Sequence, residues 1–262
     1  MTDKTFQSPI QLSALSTTTL QDVLESATYP VALWPVGSTE PHGPHLPLAT
    51  DIILSAENAR RAAERLRTRG VLAYVAPELP YGVTDFAAGF TGALTVPKDA
   101  LVGLICGVVD SLIRDGFRHV CLINHHLEPG QLSALSAAHE QLCKKHGEHA
   151  VSFPKVVSRR WGRRLGDEFM SGACHAGEYE GSLVLAAEPD LVDMEIAAEL
   201  PEVPISLSEA IGAGKPTFLA AGADQAYTGR PYDASIAEGE RLYEVLTDMV
   251  VTEVLEHLER EQ

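Results

Sequence analysis

The segment from Pro35 to Asp51, PVGSTEPHGPHLPLATD, places Glu40, His42, His45 and Asp51 in one stretch broken by four prolines and two glycines. Glu40 and His42 stand two apart, so an extended backbone turns both side chains to the same side. Asp51 returns after a loop stiffened by Pro41, Pro44 and Pro47. A hard oxygen, an imidazole nitrogen and a carboxylate able to bridge are the donors of a divalent-cation site, and bridging suits a pair of cations. The competing explanation is a rigid polar loop in which Asp51 caps the helix that follows. His45 is either a donor behind the ligands or a turn residue.

Two more clusters lie downstream. In HVCLINHHLE, His125, His126 and Glu128 follow an apolar run. Adjacent strand residues point to opposite faces, so one of the two histidines faces a given cation. Asn124 is placed to orient the turn, and Glu128 either reaches the same cavity or is a solvated loop residue. The third cluster, HAGEYEGS, carries His175, Glu178 and Glu180 on a turn entering a helix. An acid in the first helical turn is explained by the helix dipole alone, and this suffices for Glu180. His175 and Glu178, with Gly177 between them and no apolar pattern, are the stronger candidates for chemistry. The remaining histidines, His119, His139, His146, His149 and His257, read as surface groups.

The elements that must position these groups alternate. A capped amphipathic helix begins at Thr17–Thr19, and PVALWPVG at 30–37 is a strand ending where the candidate ligands begin. Helical spacing from Ile52 to Leu66, with a basic face at Arg60, Arg61 and Arg65, leads to a second strand at 71–79. A Gly/Pro-rich stretch, an apolar helix at 100–115 and a third strand at 119–126 follow. A helix at 130–145, a fourth strand at 150–158 and a helix entered from residue 175 complete the pattern. Strands alternating with helices predict an α/β fold with a mostly parallel sheet covered on both faces, whose ligand crevice lies at the carboxyl ends of the strands.

Length, 262 residues, and 45% hydrophobic content fit a single domain over 1–262 with a substantial core. A net charge of −16 disfavours nucleic acid and anionic membranes as partners. The four cysteines are widely spaced with no CxxC pair, which argues against a zinc ribbon or a disulfide framework. The polar stretch MTDKTFQSPIQLSALSTTTLQDV has no signal-peptide pattern, and the apolar runs are too short to span a bilayer, so a cytoplasmic protein is expected.

GSTEPHGPHLPLATD, INHHLE and HAGEYEGS together resemble the motifs of the creatininase (creatinine amidohydrolase) family, in order, from about residue 30 to residue 190. Weaker similarity runs through YGVTDFAAGFTGAL and GRPYDASIAEG. The resemblance implies a three-layer sandwich that usually assembles as a homohexamer. It also implies two divalent ions (Zn, Mn or Fe) per subunit at the sheet's C-terminal edge. By position, Glu40, Asp51 and His126 correspond to the ligands of one metal. His42, the bridging Asp51 and a further glutamate, Glu178, correspond to those of the other. Glu128 is the alternative to Glu178, and otherwise an auxiliary ligand or substrate contact. His175 corresponds to the catalytic histidine that protonates the leaving nitrogen. The implied activity is hydrolysis of an amide or cyclic-amide C–N bond of a small molecule by a hydroxide shared between the metals. Pro41, His125 and Gly181 depart from the family pattern without removing a ligand. Creatininase holds its flat substrate with tryptophans near the third motif, whereas this chain has only Trp34 and Trp161 and no aromatic in SGAC at 171–174, which argues against creatinine itself. The alternatives are a metal-dependent hydrolase or lyase acting on a sugar lactone, carbocycle or peptide tail, and a non-catalytic metal-binding protein.

Overall fold

A computed structural model describes residues 8–261; the first seven residues of the polar N-terminal stretch lie outside it. The strands are β1 (Val31–Val36), β2 (Ala73–Val75), β3 (His119–Asn124) and β4 (Val151–Ser152). They form a parallel sheet in the order β2-β1-β3-β4. The helices are α1 (Thr17–Ser26), α2 (Thr50–Thr68), α3 (Lys98–Asp115), α4 (Pro129–His146), α5 (Arg159–Gly162), α6 (Asp167–Ser171), α7 (Glu178–Ala187), α8 (Met194–Glu199), α9 (Leu207–Gly212), α10 (Phe218–Ala221) and α11 (Ile236–Glu261).

The pleat sorts the strand side chains into two cores. Val31, Leu33, Ala73, Val75, Cys121 and Ile123 face one layer with residues of α2, α7 and α11. Ala32, Trp34, Val36, Tyr74, Val120 and Leu122 face the other, against α3 and α4. Both faces are thus buried, which explains why the strands read as continuous apolar runs rather than alternating ones. Pro35 is tolerated in a central strand because its carbonyl, accepting from Leu79 N–H at 3.0 Å, points to the side where β2 has already ended.

Chain order reverses at β1, which pairs with β2 on one side and β3 on the other, so the crevice of this sheet opens beyond the carboxyl ends of β1 and β3. Their last residues, Val36 and Asn124, are in register. The segments carrying Glu40 and His126 therefore leave the sheet side by side.

Several expectations need correction. The second and fourth strands are shorter than the apolar runs at 71–79 and 150–158, because only Ala73–Val75 and Val151–Ser152 have a laddered neighbour. Residues 236–261 form a long helix that the pattern reading did not assign. It meets the basic face of α2: Arg61 pairs with Glu240, and Arg65 with Glu244 and Asp248. His119 is not a surface group but fully buried, its ring nitrogens 2.7 Å from His149 O and 2.8 Å from Ser152 Oγ. No helix among the described residues is long and apolar enough to cross a membrane.

Candidate metal centre

Asp51 lies in the first turn of α2, whose N-cap is Ala49 and makes no side-chain cap bond. Capping therefore does not occupy its carboxylate, which is buried and turned toward the sheet end. Oδ1 is 3.4 Å from His42 Nε2, and Oδ2 is 3.0 Å from His126 Nδ1. The Ser38 hydroxyl donates to Oδ2 at 2.6 Å. This close approach of strand end to helix start requires Gly37, since a Cβ there would meet Ile52 N at 3.0 Å.

Each histidine is pinned from behind. His42 Nδ1 donates to the Glu40 carbonyl at 3.0 Å, leaving the Nε2 lone pair toward Asp51 and Glu180. His126 Nε2 donates to the Val83 carbonyl at 2.7 Å, leaving Nδ1 toward Asp51 and, at 3.3 Å, Glu40 Oε1. Backbone carbonyls of this kind fix the tautomer and aim of metal-ligating imidazoles. Asn124 donates to the His126 carbonyl at 2.7 Å and accepts from Gln131 Nε2 at 3.1 Å. Gln131 in turn accepts from Val83 N–H at 3.1 Å. In the sequence the only signal of Gln131 is an amide on a buried helix face.

His125 turns away, as adjacent strand residues must, and its Nε2 sits 3.1 Å from Asn58 Nδ2. Burial lowers its pKa to about 4. Glu128 accepts from the backbone N–H of Asp85 and Phe86 at 3.0 and 3.2 Å, and its Oε2 is 3.9 Å from His126 Nε2. Burial pushes it up to about 7.

The third cluster is arranged differently from its reading in the sequence. Glu178 is not brought to the other groups: it bonds to Arg230 at 3.1 Å and is in none of the metal-holding groups among the described residues. Glu180 is buried, accepts from Ala176 N–H at 2.7 Å and lies 3.5 Å from His42 Nε2. The reason is helical geometry. Both residues belong to α7, where positions two apart are rotated by roughly 200°, so only one can face the cluster. The start of α7 is held by Glu168, whose carboxylate accepts from Tyr179 and Arg230 N–H at 2.9 and 2.8 Å. A side chain at Gly177 would collide with that carboxylate.

His175 stacks on Phe218, with ring centroids 4.3 Å apart, and its Nε2 donates to the Pro41 carbonyl at 3.0 Å. Burial, reinforced by the neighbouring His42, holds its pKa well below the usual histidine value. Ala176, next in sequence, takes a left-handed φ of 52°. Such a conformation in a non-glycine residue is costly and characteristic of functional sites.

Three overlapping groups emerge: Glu40, His126 and Glu128; His42, Asp51 and Glu180; and Glu40, His42 and His175. Glu40 Oε2 and His42 Nε2 are buried with no hydrogen-bond partner. Carboxylate oxygens and imidazole lone pairs left without donors are what a divalent cation satisfies, so the residues present fit a metal. Zinc, manganese and iron all accept this mixed O/N set.

Without a cation the cluster must hold protons. His42 rises to about 10: burial alone would lower it, but the Asp51, Glu180 and Glu40 carboxylates outweigh burial. Burial raises Glu180 to about 8. The stabilisation from His42 is complete below 6.5 and is lost toward 10, while Glu180 becomes increasingly unfavourable to the fold from 4.5 to 8. Metal-free protein should therefore melt at lower temperature at about pH 9 than at about pH 6, and added Mn or Zn should reverse the loss. Thermal melts across this range check it; a melting temperature that rises with pH would contradict this electrostatic balance.

The groups form the floor of a cavity of about 390 Å³ with largely apolar walls, among them Phe86, Leu127, Met170, Ile211 and Phe218. Neither tryptophan reaches it. Trp34 is in the core, donating to the Pro77 carbonyl at 2.9 Å, and Trp161 is buried against α11. The aromatic groups come instead from Phe86 in the Gly/Pro-rich stretch, Phe169 in α6 and Phe218 in α10.

A family profile for creatinine amidohydrolase matches residues 13–254. The chain belongs to the creatininase family. Among curated relatives, the mycofactocin precursor peptide peptidase of Mycolicibacterium smegmatis is 31% identical over 88% of this chain and 86% of its own. The creatinine amidohydrolase of Pseudomonas putida is 28% identical over 65% of this chain and 69% of its own. A manganese creatininase superposes with TM-score 0.72 at 22% identity, covering 95% of this chain and 98% of that one. The fold of this family member is thus the creatininase fold, and its metal-binding groups sit in a creatininase-family hydrolase scaffold.

Proposed function

We propose that the protein is a metal-dependent amidohydrolase that cleaves an amide C–N bond, with peptide amides within its range. In this reading Glu40, Asp51 and His126 hold one divalent ion, and His42, Asp51 and Glu180 hold a second. The observation that carries it is Asp51, whose two oxygens are aimed at different histidines, each fixed by a backbone carbonyl. A pair of divalent ions there would supply an activated water and polarise the scissile carbonyl. Burial and the neighbouring His42 disfavour the charged form of His175, and its Nε2–H is committed to the Pro41 carbonyl, so Nδ1 is the ring nitrogen left to accept a proton. It takes that proton from the attacking water and returns it to the departing nitrogen, which leaves as an amine rather than an anion. Glu128, already committed to two backbone N–H groups, holds the Phe86 segment against the cavity.

The names of the relatives support the bond type, since an amidohydrolase and a peptide peptidase share the amide. The cavity supports a substrate larger and more apolar than creatinine. The test is metal analysis of protein purified without added metal, then a screen of cyclic amides and short peptides for amine release after reloading. About two divalent ions per chain and amine release are expected; no bound metal, or turnover confined to lactones, would overturn the reading. His175→Ala should leave metal content unchanged and lower kcat by about 10²–10⁴-fold. Metal analysis and steady-state kinetics on the same preparation check both halves.

A further inference from the structure

The cavity is acidic at its floor but not at its rim. Arg159, the first residue of α5, and Arg163, its C-cap, line it, and both are exposed. Their neighbours one position on serve a different purpose. Arg160 pairs with Glu256 at 2.9 Å and Arg164 with Asp248 at 3.4 Å, which fixes this segment to α11. Arg159 and Arg163 have no hydrogen bond or ion pair to any described residue. In a chain of net charge −16, with carboxylates abundant nearby, two unpaired guanidinium groups facing one cavity are a local reversal of the field. Beside them Ser158 also lines the cavity, and its Oγ is buried without a hydrogen-bond partner although the residue stands at the N-cap of α5. Much of the remaining lining is apolar: Phe86, Phe218, Met170, Ile211 and Val157.

We propose that Arg159, Arg163 and Ser158 form a carboxylate subsite, so that the preferred substrates are amides with an apolar body and a free carboxylate, such as peptides or N-acyl amino acids with an unblocked C-terminus. This rests on the amidohydrolase reading above and names its substrate class. Guanidinium groups bind carboxylates through paired, charge-assisted hydrogen bonds, and the hydroxyl supplies one more donor. The apolar wall takes the side chains, leaving an amide bond over Glu40, Asp51 and His126.

The probes are N-acetyl-Leu-Phe with a free C-terminus and the same compound as its C-terminal amide. Binding to the Mn-loaded protein is measured by calorimetry, and cleavage by amine release. The acid should bind at least about tenfold more tightly than the amide, and the variant carrying Arg159→Gln and Arg163→Gln should bring the two within about twofold. Arg160→Gln, altering a guanidinium that faces α11, should keep the preference. Equal binding of acid and amide by the unmodified protein, or no binding of either, overturns the subsite. So does an acid preference that survives loss of both arginines, since the carboxylate would then be sitting on the metals. Tighter binding of the acid without cleavage of any amide leaves the subsite standing and removes the hydrolase reading. Cleavage of acid and amide with equal kcat/KM does the reverse.

Discussion

Asp51→Ala is expected to yield a folded protein with little bound divalent metal and no measurable amide hydrolysis. The two oxygens of Asp51 approach His42 and His126 separately, so no neighbouring group can replace both. The fold should survive, because the N-cap of α2 is Ala49 and the helix does not depend on this carboxylate. Removing it does take the counter-charge from the buried His42 and His126, so the metal-free variant should melt below the parent while keeping its fold. A metal centre contributes several kcal/mol of charge stabilisation to such a reaction, so kcat/KM should fall on the order of 10³ or more. Elemental analysis beside a far-ultraviolet spectrum and an activity assay separates metal loss from unfolding. Full metal content with full turnover would rule out Asp51 as the bridge.

The legible part of this site was the part written in contiguous residues. Glu40, His42 and Asp51 could be read because Pro41, Pro44 and Pro47 left few routes by which the loop could return, and His126 because an apolar run ended on it. The parallel sheet was legible for a related reason: four apolar runs separated by helical spacing admit few other arrangements. What stayed hidden depends on tertiary placement. Phe86 and Phe218, 132 residues apart, become facing aromatic walls only after the Gly/Pro-rich stretch and α10 fold together. His119 is polar in sequence yet fully buried, because His149 O and Ser152 Oγ happen to wait for its two nitrogens. The docking of the long C-terminal helix on α2 through Arg61 and Arg65 has no local signal either, since pairing across 179 residues has no local period.

Glu180 and Glu178 provide the sharpest discrimination within the site. Glu180→Gln should cost about one equivalent of bound metal and lower kcat/KM by on the order of 10²-fold or more. Glu178→Gln should keep full metal content and activity, losing a partly exposed ion pair with Arg230 worth at most about 1 kcal/mol. The sequence favours the opposite assignment, because an acid in a first helical turn needs no chemistry to explain it. Glu180 nevertheless does not serve the helix from outside. It is buried, tied to Ala176 N–H and directed at His42 Nε2, whose lone pair has no hydrogen-bond partner. With Gln in its place the bond to Ala176 N–H can persist through the amide oxygen, so the turn carrying His175 keeps its shape while the negative charge is lost. Metal content, turnover and thermal stability measured on both variants distinguish the roles. Loss of metal in Glu178→Gln, with retention in Glu180→Gln, would reverse the assignment and require α7 to rotate by about half a turn from the orientation in which Tyr179, Leu183 and Val184 now fill the core.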